Sequence, residues 1–215
     1  MGTATLHAMN SVYEDLKVIW VDAHPDFIHP KMSEYPNYHG YPVAHATGLA
    51  SDIPGFKWLT NLVPYQNIVY IAIRDIDPDE WINLKAKNMK CFTMDHVHQL
   101  GIGEVMNQAI HHLDPHGDKP FYISFDIDGI DPDLAFGTGT KFRDGLTASQ
   151  ANMVVRSVAH QRKLVGLDVM EINRDLEKED QRPIYRDEHY YGPVSPTVGL
   201  GIDLIESLFT KYFTL

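Results

Sequence analysis

The sequence has little positive charge, one cysteine and no long apolar run, and each scarcity excludes a class of protein. Its 215 residues contain 18 lysines and arginines against 29 aspartates and glutamates, for a net charge of -11 and a pI near 5.4. So acidic a chain is poorly suited to nucleic acid or an anionic membrane surface. Cys91 is the only cysteine, so no internal disulfide can form, which favours a reducing, cytoplasmic compartment. No apolar run reaches the length of a membrane span.

What the sequence does contain is a regular alternation of short apolar runs with helical patterns. The apolar runs predict buried strands at 18–21, 67–73, 89–93, 120–127 and 164–169. Helices are expected at 43–51, 80–87, 102–113, 148–160 (with Thr147 and Gln150 as a capping box) and 197–215. Residues 1–16 have weak helical character, and 174–196 predicts a loop. This alternation indicates a single α/β domain over 1–215, with a mostly parallel sheet and helices on both faces.

Two aspartates stand at the end of the fourth predicted strand. Side chains alternate along a strand, so Asp126 and Asp128 should leave from the same face, about 7 Å apart along the chain. Unpaired carboxylates at the end of a buried strand repel each other and resist desolvation. Divalent cations would remove both problems, so this stretch predicts a metal site.

The first predicted strand ends in a similar group. Asp22, His24 and Asp26 alternate with Ala23 and Pro25, so all three could point one way if the backbone stays extended. The carboxyl ends of parallel strands lie along one edge of a sheet, where ligands gather. The alternative is structural: two turns between strands and helices in which the aspartates cap helix N-termini.

The blocks that carry these residues resemble the arginase branch of the ureohydrolase family, in the family's order and spacing over about 18–173. They are Asp22-Ala23-His24-Pro25-Asp26, Asn37-Tyr38-His39-Gly40, the run 124–132, Thr138-Gly139-Thr140 and the run 166–173. The likeness implies an arginase-like fold and hydrolysis of a guanidino group, with L-arginine, cleaved to ornithine and urea, as the first candidate. A related amidinohydrolase such as an agmatinase is a weaker match, because the run 166–173 looks more like the arginase branch.

The resemblance assigns a metal shell. It implies that Asp22 and Asp126 bridge two metals, with His24 and Asp128 on one and Asp26 on the other. Four carboxylates balance two Mn²⁺ ions, and an oxygen-rich set with one imidazole suits Mn²⁺ better than zinc. Two metals about 3.5–4 Å apart can lower the pKa of a shared water and hold it as hydroxide. Asp128 would also orient that hydroxide toward the guanidinium carbon.

The resemblance also assigns roles around the substrate. His39 would relay a proton to the amine leaving group, and Glu171, helped by Thr140, would pair with the guanidinium. Asp77 would contact the substrate α-amino group, and Asn37 would contribute to substrate binding. Without these roles, His39 would be a surface histidine, Glu171 a helix cap and Asp77 one member of an acidic turn.

One family motif is missing from the sequence. No Gly-Gly-Asp-His run is present, and in the family its histidine completes the shell of the second metal. We therefore expect residues 1–16 to be a leader outside the family and the chain to lack the family's N-terminal third. The loss of the early strands should expose a sheet edge, which favours association into a homo-oligomer.

The loop after the first metal stretch also departs from the family. Phe27-Ile28 and Tyr35-Pro36 stand where the family has small or polar residues that hold the substrate carboxylate. A different or bulkier guanidino compound is therefore an alternative substrate. The missing histidine and this loop together support a second hypothesis, a metal-binding homologue that is catalytically weak or silent and acts by assembly or regulation.

Overall fold

The computed structural model describes residues 2–33, 37–177 and 195–209. Its strands are β1 (Lys17–Val21), β2 (Ile68–Ile73), β3 (Lys90–Thr93), β4 (Pro120–Asp126) and β5 (Lys163–Met170). Its α-helices are α1 (Gly2–Val12), α2 (Pro42–Ala46), α3 (Pro78–Ala86), α4 (Met94–Leu100), α5 (Ile102–Leu113), α6 (Ala148–Ala159) and α7 (Pro196–Ser207). Each predicted strand is present, within one residue at either end.

The five strands form one parallel sheet in the order β3-β2-β1-β4-β5. Alternate residues of β1 serve opposite faces: Ile19 and Val21 pack in a core with α5, α6 and α7. Val18 and Trp20 pack on the other side with α1, α2 and α3. The predicted α/β architecture, with helices on both faces, is therefore confirmed.

The order of the strands creates a crevice at one place. The chain runs outward from β1 to β2 and β3, then returns to place β4 on the other side of β1 before adding β5. Connections on the two sides of the β1–β4 pair therefore diverge, which is where ligands bind in open parallel sheets. Val21 is in register with Phe125, so Asp22 and Asp126 leave the sheet at the same level.

Local signals explain most helix boundaries. Thr147 and Gln150 form the predicted capping box of α6, and Asp77 and Glu80 form another at α3. Helix α2 is shorter than the predicted 43–51: it ends at Ala46, and Gly48 turns the chain at φ +84°. None of the described helices has the length and apolar character needed to cross a bilayer.

Two expectations fall partly outside the described residues. The predicted loop 174–196 contains a 3-10 turn at Arg174–Leu176, and residues 178–194 lie outside the description. The predicted C-terminal helix, 197–215, begins at Pro196 and ends at Ser207, earlier than expected; residues 210–215 also lie outside the description.

Candidate metal centre and substrate pocket

One pocket of about 370 Å³ opens at the carboxyl ends of β1, β4 and β5. All ten site residues predicted from the sequence line it: Asp22, His24, Asp26, Asn37, His39, Asp77, Asp126, Asp128, Thr140 and Glu171. Strand ends and loops that are up to 149 residues apart in sequence therefore meet in one place.

Three of these residues form a compact group of metal-ligand atoms. Asp22, His24 and Asp128 each place one such atom within 4.8 Å of the other two. His24 Nδ1 lies 3.3 Å from Asp22 Oδ1 and 3.1 Å from Asp128 Oδ2. His24 Nε2 lies 3.3 Å from Asp75 Oδ2. A carboxylate–imidazole–carboxylate group of this size matches the donor set of a divalent cation.

Backbone amides hold these carboxylates in place. The His24 amide donates to Asp22 Oδ1 (2.7 Å), and the Ala23 amide donates to Asp128 Oδ1 (3.1 Å), which joins the ends of β1 and β4. Trp20 Nε1 donates to the other oxygen of Asp22 at 3.1 Å. The side chains are therefore oriented before any ligand binds, which lowers the cost of ordering them.

Asp126 and Asp26 complete the acidic wall. Asp126 Oδ1 accepts the Asp128 amide at 2.9 Å and caps the 3-10 turn Ile127–Gly129, so the capping role considered for this aspartate is also present. Asp26 adopts φ +51°, a conformation that non-glycine residues seldom hold. Such strain often occurs at ligand sites.

The group is electrostatically unbalanced without a cation. Burial, followed by the charge of Asp128, raises the pKa of Asp22 to about 7. Burial and the charge of Asp22 raise the pKa of both Asp26 and Asp126 well above the usual range for a carboxyl group. Ionising all of them therefore requires compensating positive charge.

His24 supplies part of that charge as a proton. Burial lowers the pKa of His24, but its hydrogen bonds with Asp128 and Asp22 outweigh this and raise the pKa to about 11. The same hydrogen bond, against burial, leaves the pKa of Asp128 lowered. A divalent cation would replace this proton, and the oxygen-rich donor set fits a hard cation such as Mn²⁺.

The remaining predicted residues lie around this group. His39 is exposed in the 3-10 turn Tyr38–Gly40, which Asn37 precedes. Glu171 follows β5 directly at φ +60° and does not cap the next turn, which Asn173 caps. Asp77 lines the pocket while its Oδ1 accepts the Asp79 amide as the cap of α3, so the acidic-turn interpretation describes part of its role.

Sequence reasoning missed three buried polar residues of the pocket, Glu80, Ser124 and Thr138. Glu80 is 8% exposed, and its two oxygens accept the Phe27 amide (2.9 Å) and the Asp77 amide (3.3 Å). The capping-box spacing from Asp77 could have identified it. Thr138 is 1% exposed, and its hydroxyl has no hydrogen-bond partner among the described residues.

The altered loop is partly visible in the pocket wall. Ile28, 7% exposed, lines the pocket and contributes no hydrogen-bonding side chain. Tyr35 and Pro36, the other departure from the family pattern, lie outside the described residues.

Comparison with known proteins places this site in a family. The model of the Arginase family matches residues 1–189. Human arginase-1 is 40% identical over 182 residues, which are 83% of this chain and 56% of that protein. The chain spans about half the length of the curated relatives it matches. The family match includes residues 1–16, which we expected from the sequence to lie outside the family.

Solved structures show the same fold. The native arginase from Bacillus caldovelox at pH 5.6 is 28% identical and superposes with a TM-score of 0.84 over 99% of this chain and 66% of its own. Entamoeba histolytica arginase in complex with L-ornithine, also 28% identical, gives 0.82 over 97% and 66%. Matched family model, sequence identity and fold lead to one conclusion: the chain belongs to the arginase family.

Proposed function

We propose that this chain is a Mn²⁺-dependent hydrolase of a guanidino group, with L-arginine, converted to ornithine and urea, as the first candidate. The observation that carries the proposal is the convergence of all ten predicted residues on one pocket. The relative from Entamoeba histolytica is described in complex with L-ornithine, which supports the same substrate class.

The five acidic and imidazole ligands would hold two metal ions: Asp22, His24, Asp26, Asp126 and Asp128. When bound, the ions lower the pKa of water and so supply a hydroxide nucleophile near neutral pH. The chain's own contribution is orientation. Asp128, fixed by the Ala23 amide, would accept a hydrogen bond from the nucleophile and aim it at the guanidinium carbon.

The other residues would bind the substrate and move a proton. Glu171 would pair with the guanidinium, and Asp77 would contact the α-amino group. Asn37 and Thr140 would add neutral hydrogen bonds. As the bond between the guanidinium carbon and the alkyl nitrogen breaks, the amine takes a proton through His39 and urea is released.

The pocket wall also bears on the choice of substrate. The Ile28 side chain cannot hydrogen-bond a carboxylate, so a guanidino compound that lacks one, or is bulkier, is the alternative to arginine. A panel of guanidino compounds of differing charge and length would rank these substrates by kcat/KM.

Urea release after incubation with Mn²⁺ at alkaline pH tests the proposal. We expect the parent to release urea from arginine or another guanidino compound. Asp128→Ala should release at least about a hundredfold less, because the metal loses a ligand and the nucleophile loses its hydrogen-bond acceptor. Asp95→Ala removes an exposed carboxylate on α4 and should leave the rate unchanged. If no compound yields urea above the Asp128→Ala level, the proposal is rejected.

A second function has its own observation. Among the described residues, only Asp22, His24 and Asp128 form a compact group, which suits one ion. A homologue that binds one metal for stability, and acts by assembly or regulation, would show this. Metal content separates the two: two tightly held Mn²⁺ ions per chain favour hydrolysis, and one favours the silent homologue.

A further inference from the structure

The Arg74 side chain joins Asp128 of the candidate metal centre to the loop that follows Thr138–Thr140 of the pocket lining. Nη2 donates to the carbonyls of Asp128 and Phe142, both at 2.7 Å, and Nε donates to the Arg143 carbonyl at 3.0 Å. Nη1 donates to the Ala72 carbonyl at 3.2 Å, at the end of β2. One guanidinium thus contacts backbone from three separate parts of the chain.

The Arg74 backbone adds a fourth connection. Its amide donates to the Ala23 carbonyl at 2.9 Å, between Asp22 and His24. The residue therefore touches the backbone beside every member of the compact ligand group. Within the described residues its hydrogen bonds there go to backbone carbonyls, which leaves the ligand side chains free for a cation.

The loop that Arg74 holds also carries part of the pocket wall. Phe142 and Arg143 follow Thr138–Thr140, which line the pocket. From the other side, Asp131 Oδ2 accepts the Asp144 amide (2.8 Å) and the Gly145 amide (3.1 Å). A Cβ at Gly145 would lie 2.8 Å from Arg74 Nη2, so the loop is packed directly against the guanidinium.

We propose that Arg74 is a positioning residue of the metal centre, one that fixes Asp128 and the 138–145 loop relative to each other through its planar fork of donors. This inference rests on the proposed function, because it concerns the same metal-binding pocket. Arginine suits the task because its donors point in fixed, diverging directions. Lysine would keep the charge but offers a single point of contact.

Three variants test the proposal: Arg74→Gln, Arg74→Lys and the control Arg143→Gln, which removes an exposed guanidinium from the same loop (82% exposed). Mn²⁺ affinity is measured by titration calorimetry without substrate. We expect Arg74→Gln to bind Mn²⁺ about 10–100-fold more weakly than the parent, and Arg74→Lys roughly tenfold more weakly. Arg143→Gln should equal the parent.

The melting temperature without metal and the kinetics separate positioning from plain structural support. A positioning role predicts that excess Mn²⁺ restores part of the lost kcat of Arg74→Gln. If Arg74→Gln lowers the metal-free melting temperature and leaves Mn²⁺ affinity intact, the proposal is overturned. Full Mn²⁺ affinity in Arg74→Lys would overturn the role of the fork, and that comparison decides the matter if Arg74→Gln does not fold.

Failure of the Arg74 proposal can be distinguished from failure of the proposed hydrolase function. The calorimetry uses no substrate, so a parent chain that binds Mn²⁺ but releases no urea rejects the hydrolase and still tests Arg74. A parent chain that binds no Mn²⁺ rejects the positioning role as well.

Discussion

Buried carboxylates in this chain have two kinds of surroundings, and these decide their charge. Asp114 is 1% exposed, but its oxygens accept the amides of Gly117 (2.8 Å), Asp118 (3.2 Å) and Lys119 (3.2 Å). Burial raises the pKa of Asp114, and these hydrogen bonds outweigh it, so the net shift is downward. Asp126 accepts a single backbone amide and Asp26 is helped only by the charge of His24, so burial and the neighbouring carboxylates outweigh these effects and the pKa of both rises.

Asp114 gives a prediction about stability. Asp114→Ala leaves three backbone amides without their acceptor and should lower the free energy of unfolding by about 1–3 kcal/mol at pH 7. Because folding depresses the pKa of Asp114, its contribution is present above the unfolded value near 3.8 and is lost as pH falls below it. The difference in free energy of unfolding between parent and variant, measured by urea denaturation, should therefore become smaller at low pH.

Asp118→Ala is the control for that prediction, since the Asp118 side chain is 65% exposed. It should change the free energy of unfolding by no more than about 0.5 kcal/mol. A loss as large as that of Asp114→Ala, or a gap that widens at low pH, would contradict the assignment.

At the scale of one element, helix α6 depends on its first turn. Thr147 Oγ1 accepts the Gln150 amide (3.2 Å), and the Gln150 side chain accepts the Thr147 amide (2.8 Å). Thr147→Ala should lower the free energy of unfolding by about 1 kcal/mol, which for a domain of this size lowers the melting temperature by roughly 2–4 °C. Ser157→Ala removes a hydroxyl within the same helix and should leave the melting temperature unchanged. Equal losses in calorimetric melts of the two variants would argue against the cap.

The helices and strands also show which features of the fold could be predicted from the sequence. The strands and the capped helices α3 and α6 were predicted closely, because apolar runs and capping boxes are local signals, whereas α4 was not predicted as a helix. Helix α2 ended before its predicted boundary, close to Gly48, a turn residue that the sequence does show. Ala72 adopts φ +73° beside an irregularity in the β2–β3 pairing, which forms only in the folded chain.

The same distinction applies to the site. The stretches Asp22–Asp26 and Asp126–Asp128 could be identified because they follow buried strands and match a family pattern; that they bind metal stays a prediction. Arg74 acts through carbonyls 54 to 69 residues away, which no local pattern encodes. Glu80 had a local signal, the capping box, but that signal predicts the start of helix α3 and gives no indication that Glu80 lines the pocket.

On the scale of the whole molecule, charge is concentrated where the sheet opens. The chain carries a net charge of -11, and seven residues of the pocket lining are acidic: Asp22, Asp26, Asp77, Glu80, Asp126, Asp128 and Glu171. Within the described part of the chain, the lining has no lysine or arginine. Divalent cations would therefore relieve repulsion across several strand ends at once and should stabilise the entire fold.

Mn²⁺ should accordingly raise the melting temperature of the chain. A ligand that binds only the folded state at 100 times its Kd adds about 2.7 kcal/mol, which corresponds to roughly 5–11 °C here. Asp22→Ala should lose most of this rise, because it removes a carboxylate from the compact group, whereas Asp95→Ala on the exposed face of α4 should retain it. Differential scanning calorimetry with Mn²⁺ or with a chelator measures both. A rise that is equal in the two variants would mean that the cation stabilises the fold from outside this pocket.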